Sequence, residues 1–133
     1  MDEILQSHFL NLFSFALADS AVDPKEAEQL YQIALEKGVS EPQVNYLIDN
    51  PHKVRITIPT TKNEIAEQLY DIALIVLADG KVDLREITAL RKYIEKFVDN
   101  EEICSKLIEE LIDSVKNNLT KEMIINQIIK QLR

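Results

Sequence analysis

The chain has 133 residues, of which 46% are hydrophobic, and this length and composition predict one compact domain with a single core. It carries 15 basic and 23 acidic residues, a net charge of −8. That balance argues against a nucleic-acid partner. The acidic charge could instead serve to bind a basic protein, to bind a cation or simply to keep the chain soluble, and solubility is the default interpretation.

Cysteine content and hydropathy exclude further classes of protein. Cys104 is the single cysteine, so no intramolecular disulfide can form, and its place on an apolar stripe predicts a small core residue. The start of the chain lacks the basic and apolar regions of a secretion signal, which favours a cytoplasmic setting. The longest apolar run, Ile72 to Ala78, has seven residues, far short of the ~18 needed to cross a bilayer, so no direct membrane insertion is expected.

The first half of the chain predicts three helices. Apolar residues at helical spacing place helix one over Glu3 to Ala18. His8 lies on it with no second ligand at i+3 or i+4, which favours a partly exposed or core-edge histidine over a metal ligand.

Caps define the next two helices. Asp23-Pro24-Lys25-Glu26 has the form of a helix start, with Gly38 suited to end that helix after about Lys37 in a left-handed conformation. Ser40 with Gln43 predicts a third, short helix that stops before Asn50-Pro51.

The segment from Pro51 to Thr61 has Val54, Ile56 and Ile58 in alternation, a pattern typical of one extended strand. No second strand pattern occurs in the chain. We therefore expect an ordered connector over the core, with edge pairing in a homodimer as the less favoured alternative.

The second half predicts four more helices. Helix four begins at Thr61 and Glu64 and becomes apolar all round toward Ala78, so it should be central. Helix five should run from about Leu84 to Phe97. Asp99 with Glu102 is predicted to start helix six, which Asn117-Asn118 ends.

The last helix, capped by Thr120, carries more apolar surface than a free terminal helix would. It should therefore pack back on the domain or on a second subunit.

An internal repeat organises these elements. Residues 17–37 laid on residues 77–97 are identical at seven of 21 positions, where chance gives roughly one or two. The match predicts two pseudo-symmetric helix-loop-helix units, repeat one at about 3–49 and repeat two at about 62–117, followed by a C-terminal helix at about 121–133. The predicted fold is a single all-α, seven-helix bundle over residues 1–133.

The repeated loops carry acids in the pattern D-x-x-x-D-x-x-E, and two interpretations are open for them. Asp83 with Glu86, and Asp23 with Glu26, have the spacing of helix capping boxes. Asp79 falls at the predicted C-terminal end of helix four, where the helix dipole disfavours an anion. The alternative is therefore a metal site, whose proposed ligands are Asp79, Asp83, Glu86, Asp19, Asp23 and Glu26.

The ligand chemistry limits which metal such a site could hold. Asp79-Gly80 followed by Glu86 matches the later half of a calcium-binding EF-hand loop, but Ile75 and Leu77 occupy the positions of its first acids. That excludes a full seven-ligand cage and leaves a weaker site for a divalent hard cation such as calcium or magnesium. No Cys/His cluster is present for softer metals.

An apolar helix ending in Ala78-Asp79-Gly80, followed by Val82-Asp83 and Glu86 at the start of the next helix, resembles the tellurite-resistance TerB-like family. The copy from Ala18 to Glu26 resembles it with Ser20 in place of glycine. The resemblance implies a seven-helix TerB-like domain, linked to tellurite and chemical-stress systems and to metal binding through its acidic residues.

No nucleophile, oxyanion motif or phosphate-binding glycine loop accompanies the two histidines, so the chain is predicted to be a non-enzyme. The first hypothesis is an acidic TerB-like module that binds a divalent cation or a protein partner through the two loops. The second is a purely helical interaction or oligomerisation module in which the loop acids are only helix caps.

Overall fold

The computed structural model describes residues 1–16 and 23–133. These residues form seven α-helices and one short 3-10 turn at Pro51–Lys53, with no strand among them. The helices are α1 (Glu3–Ala16), α2 (Pro24–Glu36), α3 (Glu41–Asp49), α4 (Lys62–Val76), α5 (Leu84–Ile94), α6 (Glu101–Lys116) and α7 (Lys121–Ile129). The prediction of an all-α bundle is confirmed.

Helix α4 is the central element of the bundle. It contacts α1, α2, α5, α6 and α7, and its Leu69, Ile72, Ile75 and Val76 are fully buried. Toward its C-terminal end this helix is apolar on every side and must be surrounded by other elements, which is why the chain folds around this segment. Within the described residues, no helix has both the length and the apolar content needed to span a membrane.

Side-chain caps set most of the helix starts. Thr61 accepts a hydrogen bond from the Glu64 amide, Thr120 accepts one from Met123, and Ser40 forms a complete capping box with Gln43. The cap of α6 was predicted at the wrong residue, since Asn100 rather than Asp99 caps it, its Oδ1 lying 2.8 Å from the Ile103 amide nitrogen. Aspartate and asparagine cap about equally well, so the sequence did not separate the two.

The end predicted for helix five also differs from the structure. Helix α5 ends at Ile94 and not at Phe97, although Phe97 stays buried in the turn that follows. The end predicted for helix one, residues 17–18, lies outside the described residues. Helix α2 ends as predicted, with Gly38 at a φ of +74° in the left-handed region that glycine tolerates best.

The connector after α3 has no regular structure between Val54 and Thr60, as expected for a segment without a partner strand. Ser7 on α1 holds it in place, because its hydroxyl donates to the Arg55 carbonyl and accepts from the Thr57 amide. Ile56 and Ile58 remain 73% and 49% exposed. The connector thus covers α1 with its backbone while two of its apolar side chains stay in solvent.

The C-terminal helix α7 packs back on the domain, against α4 and α6. Ile124 and Ile128 are each 1% exposed, whereas Met123 on the other face is half exposed. Cys104 on α6 is fully buried, as predicted for a small core residue.

Candidate functional site

The aspartates of the two loops bind backbone amides close to them. Oδ1 of Asp83 accepts a hydrogen bond from the Arg85 amide at 2.7 Å, and Oδ1 of Asp23 accepts one from the Lys25 amide at 2.8 Å. Both residues are therefore the N-caps of their helices. The hydrogen bond from the Arg85 backbone amide, together with one from the guanidinium of the same residue, lowers the pKa of the Asp83 carboxyl.

Asp79 lies in the turn after α4. The helix ends at Val76, earlier than expected, so Asp79 follows its last turn instead of opposing the helix dipole from within it. Its Oδ1 accepts a hydrogen bond from the Lys81 amide at 3.0 Å, across Gly80, whose φ is +78°. This positive φ, which glycine tolerates best, allows the tight turn.

Glu86 behaves differently from these aspartates. No hydrogen bond in the described chain joins it to the Asp83 amide, so the capping box predicted for α5 does not form and Asp83 caps the helix alone. The Glu86 side chain turns into the protein and is 3% exposed. Glu26, at the equivalent position of α2, is 1% exposed.

The two buried glutamates meet. Burial, the charge of Glu26, the hydrogen bond between the two side chains, and the charges of Asp79 and Asp83 together raise the pKa of Glu86 from 4.5 to about 8. Two carboxylates this close cannot both ionise cheaply, and the pair holds a proton at neutral pH. Glu86 Oε2 is buried with no hydrogen-bond partner of standard geometry in the described part of the chain.

The structure therefore brings together residues from both predicted loops. Glu26 and Glu86 are in contact, and Asp79 and Asp83 are near enough for their charges to act on Glu86. Asp23 caps its own helix, and Asp19 lies outside the described residues. Among residues 1–16 and 23–133, no three Asp, Glu, His or Cys side chains are arranged to hold a metal ion. The six-residue ligand set thus stays a prediction.

A second polar cluster was missed by the sequence analysis. His8, expected to be partly exposed or at the core edge, is 3% exposed, and its Nε2 lies 2.9 Å from Oδ2 of Asp71 on α4. The same carboxylate oxygen is 3.3 Å from Nζ of Lys37. The hydrogen bond to Asp71 is what allows the polar imidazole ring to be buried.

One signal could have identified this cluster from sequence. Asp71 is an acid within the apolar stretch that forms the central helix, where a charged side chain must find a partner. Which residue serves as that partner depends on how α1 packs on α4, and no local pattern in the sequence specifies that packing.

Comparison of the chain with protein-family models, with curated proteins and with solved structures gives no match.

Proposed function

We propose that this protein is a non-enzymatic acidic helical module that binds a divalent hard cation, calcium or magnesium, at the contact between Glu26 and Glu86. The observation that carries the proposal is the buried contact between Glu26 and Glu86, one from each loop. A pair of buried carboxylates is unfavourable unless a positive charge lies between them, and a proton or a cation can supply it.

The cation would replace the shared proton. Its ligands would be the carboxylate oxygens of Glu26 and Glu86, with water completing the oxygen shell, as hard cations accept. Asp79 and Asp83 would contribute through their charge, because both already bind loop amides. Binding should therefore release a proton and stiffen the junction between the starts of α2 and α5.

The resemblance to the TerB-like family gives the biological context of the proposal. It favours a role in tellurite or chemical-stress response. In that role the acidic junction would bind a cation or a protein partner within a larger assembly. Cation binding by the isolated chain can be tested without that context.

The test is a thermal melt of the wild-type chain with calcium, with magnesium and with a chelator. A cation at 100 times its dissociation constant should stabilise the wild type by about 2.7 kcal/mol. Glu86→Gln and Glu26→Gln should each lose most of this gain. Glu109→Gln, which removes one charge from an exposed position on α6, should keep it. Equal responses in all four proteins, or no response in any of them, would reject the cation site.

One set of observations favours the alternative, a purely helical interaction module. Asp23 and Asp83 both act as helix caps, and Leu84 and Val82 beside the second loop are 79% and 40% exposed. Under this alternative the apolar residues next to the loop carry the binding surface. Size-exclusion chromatography would then show association of the wild type that chelator does not affect and that Leu84→Ser weakens.

A further inference from the structure

The connector has one side of its backbone free of hydrogen bonds. The Ser7 hydroxyl binds the Arg55 carbonyl and the Thr57 amide, and in an extended chain these two groups point to the same side. The N–H and C=O groups of Ile56 and Ile58 alternate with them and therefore point away from Ser7. Within the described residues, none of these four groups makes a hydrogen bond.

The connector already has the backbone conformation of a β-strand. Val54 at its start has φ −97° and ψ 128°, and Thr61 just after its end has φ −100° and ψ 151°. Pro59 also restricts Ile58 before it to the extended region. Because Pro59 alternates with Ile58, the N–H that it lacks belongs to the side held by α1, and the free side keeps its donors. An added strand could therefore pair with the connector without reorganising it.

The exposed side chains of the connector suit such pairing. Ile56 and Ile58 are 73% and 49% exposed, whereas Pro59 is buried. Two β-branched side chains at alternate positions lie on one face of an extended chain, where they can pack against apolar residues of a neighbouring strand. Pairing would thus bury apolar surface that the monomer leaves in solvent.

The charge around the connector differs from that of the chain as a whole. Residues 50–63 contain three basic residues and no acid, although the chain has a net charge of −8. Arg55 is exposed, and Lys96, in the turn after α5, lines one cavity together with the connector. Among the described contacts of the connector, one involves an acid, Glu3 on α1, which lies 3.5 Å from the Thr57 hydroxyl. This charge favours an acidic partner and disfavours a second copy of the same basic edge, since like charges on paired strands repel.

We propose that the free side of the connector binds an acidic, extended segment of a partner protein as an added antiparallel β-strand. Segment residues directly opposite Ile56 and Ile58 are apolar and share their face, and the residues between them are acidic and lie on the face of Arg55. The partner is thus recognised by an alternation of acidic and β-branched residues. This surface shares no residue with the contact between Glu26 and Glu86, so it does not depend on the cation site.

The experiment titrates the full chain with the peptide acetyl-EVEVEVE-amide and follows backbone amide shifts by NMR. We expect saturable shifts at residues 54–60, with a dissociation constant of about 100 µM or below. The matched peptide acetyl-KVKVKVK-amide has the same alternation and the opposite charge. It should bind at least ten-fold more weakly.

Two N-methylated forms of the acidic peptide separate strand pairing from charge attraction. In an antiparallel pair, the valines opposite Ile56 and Ile58 exchange N–H and C=O bonds with them, and the glutamate amides point away. Methylation of the three valine nitrogens removes the donors that face the connector and should abolish binding. Methylation of three glutamate nitrogens should keep the dissociation constant within about three-fold of the parent peptide.

Two variants and one control locate the binding. Ile56→Pro removes an N–H that no described group uses and should abolish binding of the acidic peptide, and Arg55→Glu should weaken it at least ten-fold. Lys116→Glu makes the same change of charge at an exposed position at the end of α6 and should leave binding unchanged within two-fold. If Ile56→Pro does not fold, Arg55→Glu and the methylated peptides still decide.

Three results would overturn the proposal. The first is the absence of saturable shifts in the connector at 20-fold the expected dissociation constant. The second is equal binding of the two methylated peptides, or equal weakening by Arg55→Glu and Lys116→Glu, which would indicate charge attraction without strand pairing. The third is a set of connector shifts that depend on protein concentration without peptide, which would mean that a second copy of the chain occupies the edge.

Discussion

At the scale of single residues, the main feature of this protein is that buried charges occur in pairs. Glu86 is buried against Glu26, and a proton on the pair removes the repulsion between the two carboxylates. Asp71 is buried against His8 and Lys37, and the ammonium group of Lys37 compensates its negative charge. The first pair should respond to pH and cations, whereas the second fixes the position of a buried imidazole.

The raised pKa of Glu86 predicts how stability depends on pH. The folded chain holds this proton with a pKa of about 8, against 4.5 ordinarily, so the contribution is fully present below about pH 4.5 and is lost as the pH rises to 8. Each pKa unit corresponds to about 1.4 kcal/mol. With allowance for solvent screening, we expect a loss of about 2 kcal/mol between pH 5 and pH 9.

Urea unfolding of the wild type and of Glu86→Gln across this pH range measures the effect. Glutamine resembles the protonated acid, so the variant should match the wild type near pH 5 and exceed it at pH 9. A variant whose pH profile runs parallel to that of the wild type would show that Glu86 does not hold the proton.

At the scale of elements, local caps fix where the helices begin. Six side chains each bind an amide in the first turn of the helix that follows them: Asp23, Ser40, Thr61, Asp83, Asn100 and Thr120. The sequence predicts helix ends less well than helix starts. Helix α2 ends beside Gly38, as expected, whereas α4 and α5 end before their apolar stretches do. Residues such as Phe97 can stay in the core from a turn as well as from a helix.

The cap of α5 gives a prediction that separates capping from charge. Asp83→Ala should cost about 1 kcal/mol of stability, because an amide in the first turn loses its acceptor. Asp83→Asn keeps an acceptor oxygen and should stay within about 0.5 kcal/mol of the wild type. Both values come from urea unfolding at pH 7 without divalent cations. A loss with asparagine as large as with alanine would mean that the charge of Asp83, and not its cap, stabilises the fold.

At the scale of the whole molecule, α4 is surrounded by five helices, and α7 closes one of its sides. The last helix is therefore part of the core. Truncation after Asn118 would expose the buried residues of α4 and α6 that α7 covers. The shortened chain would therefore be destabilised, and a change in its association could not be separated from this loss of folding stability.

Neighbouring residues on α7 test this packing. Ile124→Ala should destabilise the protein by about 2–5 kcal/mol, because a fully buried side chain is truncated and leaves a cavity. Met123→Ala, at the adjacent half-exposed position, should cost less than about 1 kcal/mol. Thermal or urea unfolding compares the two, and similar losses would contradict the packing of α7 on the domain.

The sequence by itself determined the helices, most of their caps and the central place of α4, because these depend on periodicity and on contacts within a few residues of each other. It also marked the loop acids, whose spacing repeats. Only the tertiary structure decided which acids are buried and which side chains meet. The contacts of Glu26 with Glu86 and of His8 with Asp71 join residues from helices far apart in the chain. Such contacts arise from packing, which no local pattern encodes.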